Sequence, residues 1–154
     1  MNVWKYRLDT EFEYQHKHFE GIDFSCDWGR IRDGILTIYG GYSWDGCSHK
    51  WNVLGLFYVG THDGALRFGK PWMHDVSLVH DILCQYSDSV PLTKQQVLQI
   101  FWQMMGECGW PLAALYAYCV DRFGPQKFGA DQVTGSCPKS FMYYRKLYKQ
   151  QSEA

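Results

Sequence analysis

The 154-residue chain has no uninterrupted apolar run of membrane-spanning length; the longest candidate, Trp110 to Val120, is short and contains Pro111. Its start, Met1-Asn2-Val3-Trp4-Lys5, lacks the apolar block of a secretory signal, which predicts a cytosolic protein. Net charge is scarce too. Fifteen Lys and Arg against 16 Asp and Glu leave -1, which argues against a dominant electrostatic grip on nucleic acid. Missing as well are a Gly-rich phosphate loop, a His-Glu-x-x-His helix, a Gly-x-Ser-x-Gly elbow and any Cys-x-x-Cys pair. Six cysteines in such a chain read as reduced thiols, with Cys108 and Cys119 as small buried hydrophobes in helical patterns.

Aromatic residues are plentiful, at 18%, and serve equally in a core or along a binding cleft. The length suits one domain with a proper core. Residues 1–124 read as a single α+β unit, with 125–154 as an extension docked on it. The first third has the period of half-buried strands: Trp4, Tyr6 and Leu8 alternate with Lys5, Arg7 and Asp9, and Phe12 and Tyr14 with Glu11, Glu13 and Gln15. Ile35 to Tyr39 is a third strand, entered through Asp33-Gly34. Antiparallel pairing is expected. Residues 43–70 read as a long connection, either functional or carrying short structure of its own.

The period then changes. Val76, Val79, Leu83 and Tyr86 predict a helix over 72–86. Thr93 with Gln96 forms a capping box, with Leu92 and Val97 as its staple, and opens a second helix that ends at Gly106 or Gly109. A third runs from Trp110-Pro111 to Phe123 and is apolar on nearly every side, which places it centrally in the helical layer. The fold class is therefore α+β: N-terminal antiparallel strands followed by a layer of about three helices. Ser140 to Lys149 is a docked helix or a partner-binding arm.

Chemistry-bearing residues are few. Tyr42-Ser43-Trp44-Asp45-Gly46-Cys47-Ser48 offers a carboxylate at a sharp turn, although on these residues alone an Asx-turn explains Asp45 better. His80 lies at the edge of an apolar arc, and Asp81 on the polar side with Ser77 and Gln85. Such a histidine can be a general base, a metal ligand or a hydrogen-bonded structural group. His62-Asp63 and His74-Asp75 repeat the dipeptide and weaken its meaning. Cys47, His49, His80 and Cys84 would suit a zinc ion; Asp45, His49, His80 and Asp81 would instead hold a metal-bound water. His16-x-His18 is a further same-face pair, expected in an exposed strand. The basic aromatic tail could stack on bases, but packing on the body explains it better.

The order Gly41-Tyr42-Ser43-Trp44-Asp45-Gly46-Cys47-Ser48, Gly60-Thr61-His62-Asp63-Gly64, Ser77-Leu78-Val79-His80-Asp81 with Gln85-Tyr86, Pro91-Leu92-Thr93 and Val120-Asp121-Arg122-Phe123-Gly124 resembles the phage and prophage family known as domain of unknown function 1353. The resemblance covers about residues 35–124. It implies action in a bacterial host cytoplasm or in a virion, and it singles out Asp45 with His80-Asp81 as one site. The chain departs from that pattern at Leu98, where an acidic residue is common.

Two functions follow. One is a small hydrolase-like enzyme, metal-assisted by an ion such as zinc at His49 and His80, with Asp45, His80 and Asp81 catalytic and Trp44, Ser48, Gln85 and Tyr86 around the substrate. The other is a non-enzymatic phage virion or host-interaction protein. In it those residues only tie loop to helix, and Trp51, Leu54, Leu56, Phe57 and Tyr58 meet a phage or host protein.

Overall fold

The computed structural model describes residues 6–44, 51–53, 57–59, 66–67, 70–71, 74–110, 112–131 and 139–153. Strands precede helices throughout, so the chain is α+β, as the change of period predicts. The strands β2 (Phe12–Gln15), β3 (Phe24–Cys26), β4 (Gly29–Arg32) and β5 (Ile35–Ile38) form an antiparallel sheet in the order β2-β5-β4-β3. A separate pair joins β1 (Tyr6–Arg7) to β6 (Ser43–Trp44), with Tyr6 opposite Trp44.

The sheet follows from its alternation. In β4, Gly29 and Ile31 are buried while Arg30 and Arg32 are exposed, so one face carries the apolar set. The β4–β5 hairpin turns on Asp33 and Gly34, whose φ values of 53 and 78° are those a two-residue hairpin of this hand requires. Gly29 has a different reason for being glycine. A Cβ there would stand 2.5 Å from the Thr37 carbonyl and 3.2 Å from Ile82 Cδ1, because the first helix descends onto the sheet at that point.

The long connection does carry short structure. Within it, β7 (Trp51–Val53) pairs with β8 (Phe57–Val59), and β9 (Leu66–Arg67) with β10 (Lys70–Pro71).

Four helices complete the described chain: α1 (His74–Gln85), α2 (Lys94–Cys108), α3 (Ala113–Phe123) and α4 (Phe141–Ser152). The fourth is the tail segment. The predicted capping box opens α2, with the Gln96 amide donating to Thr93 Oγ1 at 3.2 Å and the Thr93 amide to Gln96 Oε1 at 2.9 Å. Gly109, in the left-handed conformation, closes it. The helix α3 packs against both α2 and α4, which agrees with its expected central place.

The core lies between the inner sheet face (Ile31, Leu36, Ile38) and the buried sides of α1 and α2 (Leu78, Val79, Ile82, Ile100, Met105). Cys119 is fully buried, as expected, and Cys108 partly so. Two expectations need correction. His16 is not in an exposed strand: it is 4% exposed and caps a single 3-10 turn, Lys17–Phe19. Ser77 is not on the polar side of α1. It is 2% exposed, because its hydroxyl receives a buried indole N–H and so satisfies two polar groups together.

Candidate functional site

The residues that sequence reasoning selected do not share one fate. Trp44 is fully buried, so it builds the core rather than an accessible wall. Its indole N–H donates to Ser77 Oγ at 3.1 Å, and Ser77 donates to the His74 carbonyl at 3.0 Å. Rings surround it: Tyr42 stacks at 6.3 Å, and His74 meets it edge-on at 5.0 Å. The strand end at β6 is thereby tied to the first turn of α1. Asp45, Ser48 and His49 lie outside the described residues, as do His62-Asp63 and the side chains of Trp51, Leu54, Leu56, Phe57 and Tyr58.

His80 and Asp81 sit in the middle of α1, with side-chain exposures of 14 and 22%. Their neighbour one turn on is Cys84, whose Sγ stands 3.3 Å from His80 Nε2. Asp81 Oδ1 is 3.9 Å from His80 Nδ1, an ion-pair distance too long for a hydrogen bond. Phe101 of α2 packs on the imidazole, with ring centroids 4.8 Å apart. Burial by itself would drive the His80 proton off. The interactions with Cys84 and with the Asp81 carboxylate outweigh it, and the imidazole pKa is pushed up to about 10.

The Tyr42 hydroxyl donates to Gln85 Oε1 at 3.1 Å and lies near enough to Asp81 and Cys84 that burial first, then their charge, makes it harder to ionise. Gln85 thus borders the cluster. Tyr86 turns away from it: its ionisation is raised by burial and then by Cys26 and Asp27, and with Cys26 it lines a small apolar gap between sheet and helix.

An imidazole 3.3 Å from a thiol, with a carboxylate behind the other ring nitrogen, can hold a proton shared with sulfur and deliver it to a leaving group. Of the residues that sequence reasoning gave to a metal, Asp45, Cys47 and His49 lie outside the described residues. Among the described residues no three His, Cys, Asp or Glu side chains are grouped to share an ion, so no step below runs through one. The i, i+4 spacing of His80 and Cys84 was legible beforehand, but as a ligand pair rather than as a proton-sharing one.

A second polar centre was missed. Lys94, 1% exposed, places Nζ 2.6 Å from Asp121 Oδ1 and 2.7 Å from Gln126 Oε1. Asp121 Oδ2 accepts from the Tyr144 hydroxyl at 2.6 Å and from the Lys139 amide at 2.8 Å. Gln126 Nε2 donates to the carbonyls of Asp121 and Gly124, both at 2.9 Å. Burial alone would raise the Asp121 pKa, but Lys94, Tyr144 and Lys139 hold it below the ordinary carboxylate value. The sequence signal was a carboxylate inside an otherwise apolar helix.

A third feature is an open groove of about 450 Å³ between α2, the 3-10 turn and α4. Leu98 lines it and is 9% exposed, an apolar side chain where the phage-family pattern has an acid. No protein-family model, curated protein or solved structure matches the chain, so the phage resemblance rests on its motifs alone.

Proposed function

We propose that the chain is a small hydrolase-like enzyme of phage type, acting in a bacterial host, with its reactive centre at the His80–Cys84 pair. The supporting observation is the 3.3 Å approach of Cys84 Sγ to His80 Nε2, with Asp81 on the far side of the ring. In this reading the Cys84 thiolate attacks an acyl carbon. The bond to the leaving group breaks as His80 gives that group its proton. Water then attacks the thioester while His80 takes its proton; the C–S bond breaks and the thiolate returns. Asp81 stabilises the imidazolium and Gln85 borders the substrate. Asp45, which the phage-family resemblance joins to this site, would be a further polar contributor.

The test is alkylation by iodoacetamide at pH 6, with the labelled cysteine located by mass spectrometry. Cys84 should react about ten-fold faster in the unaltered protein than in His80→Gln. Equal rates in the two proteins would remove the ion pair and the mechanism with it.

One observation favours a second reading, a non-enzymatic virion or host-interaction protein. The Phe101 ring covers the imidazole at 4.8 Å, as a structural contact between α1 and α2 would. That reading expects His80→Ala to lower Tm without altering Cys84 reactivity.

A further inference from the structure

The groove between α2 and α4 has a chemistry of its own, independent of His80. Its volume of about 450 Å³ falls in the range of about 300–1,000 Å³ that holds small ligands. Three of its groups, Gln95, Gln99 and Gln103, succeed one another at one-turn intervals along α2, so their carboxamides repeat every ~6 Å. Gln151 of α4 joins the lining near Gly106. The partly buried Trp102 and the exposed Tyr143 supply aromatic surface.

The hydrogen bonds on one wall have a fixed direction. The His18 amide donates to His16 Nδ1 at 3.0 Å, so that nitrogen is the acceptor and the proton is on Nε2. His16 Nε2 then donates to Gln103 Oε1 at 2.9 Å, and Gln103 Nε2 to Glu107 Oε1 at 2.9 Å. Burial, the largest influence, keeps His16 below its ordinary pKa and therefore neutral near pH 7. His18 Nε2 and Gln99 Oε1 are 2.5 Å apart. This leaves the Gln99 Nε2 donors, and both ends of the Gln95 and Gln151 amides, without hydrogen-bond partners among the described residues.

We propose that this groove binds a neutral saccharide. Among the described lining residues only Lys17 carries a formal charge, so a multiply charged ligand would find little to pair with. The Gln99 donors and the Gln95 and Gln151 amides disfavour a purely apolar one. A sugar ring needs paired donors and acceptors at its rim and flat apolar surface beneath its C–H face. Carboxamides repeated along an aromatic-lined wall provide both.

The experiment is saturation-transfer NMR on the full chain with cellotriose, maltotriose and triacetylchitotriose, each at about 1 mM, the regime in which weak ligands are half-bound. At least one should receive saturation at its ring C–H protons. That signal should fall about five-fold in Gln95→Ala/Gln99→Ala, both exposed positions where a substitution leaves the fold intact. Circular dichroism checks that the variant is folded, and Tyr143→Ala provides a second exposed site with the same expected loss. Two results overturn the proposal: no transfer from any of the three sugars, or transfer that survives both folded variants.

Discussion

Two clusters of ionisable groups differ in how completely their atoms are used. Around Lys94 and Asp121, the ammonium has two side-chain oxygens within 2.7 Å and the carboxylate takes three short contacts. Around His80, the contacts are 3.3 and 3.9 Å and both acidic partners reach the edge of the helix. The first cluster joins the start of α2, the end of α3, the following turn and α4 into one closed knot. The second lies within a single helix and leaves lone pairs free. A fully satisfied network has no capacity left for a ligand, whereas a half-used one does. The clasp is therefore read as architecture and the looser cluster as chemistry.

The largest expected effect breaks the clasp. Asp121→Ala leaves the Lys94 ammonium buried without its carboxylate and should cost about 3–5 kcal/mol in urea unfolding. Replacing both members, Lys94→Met with Asp121→Leu, should cost far less, because no charge is then stranded. A loss for Asp121→Ala smaller than for that double variant would end the distinction between the clusters.

Tyr144→Phe comes next, at about 1.5–3 kcal/mol, since it removes a 2.6 Å hydrogen bond to a charged acceptor. The same carboxylate sets an acid limit. Its folded pKa lies below the ordinary 3.8, so its contribution is complete above that pH and is lost as pH falls through the folded value. In Asp121→Asn this part of the acid dependence should vanish from a urea-midpoint series.

The His80 cluster should respond to pH with the opposite sign. Its folded pKa, about 10, lies above the ordinary 6.5. Its contribution is thus whole below pH 6.5 and disappears as pH rises through 10. In His80→Gln, the decline in Tm between those limits should be smaller than in the unaltered protein; an unchanged decline would show that the imidazole gains nothing from its neighbours.

The smallest effect concerns His16, whose folded pKa is depressed by burial. Its neutral form contributes fully above pH 6.5, and stability falls as the pH drops from there through the folded value. His16→Gln should flatten that slope in thermal melts while shifting Tm little near pH 7.

Much of this architecture is legible in the sequence because its causes are local. Alternation in β2, the Asp33-Gly34 turn, the Thr93–Gln96 capping box and the boundary at Gly124 each depend on residues a few positions apart. The His80–Cys84 pairing is equally local, being one helical turn. The corrected expectations were those needing a distant partner. Ser77 is buried because Trp44 reaches it across 33 positions, and His16 because Gln103 meets it across 87.

The sequence by itself therefore determined the change from strands to helices, the turn at Asp33-Gly34, the capping box of α2 and the core-facing sides of α1 and α2. Tertiary structure alone decided that Lys94 finds Asp121, that Trp44 is core rather than cleft, and that a row of glutamines on α2 lines a groove closed by α4. Periodicity records whether a side chain faces inward. Which side chain it meets there is decided only when separate segments pack, and nothing in the local pattern names that partner.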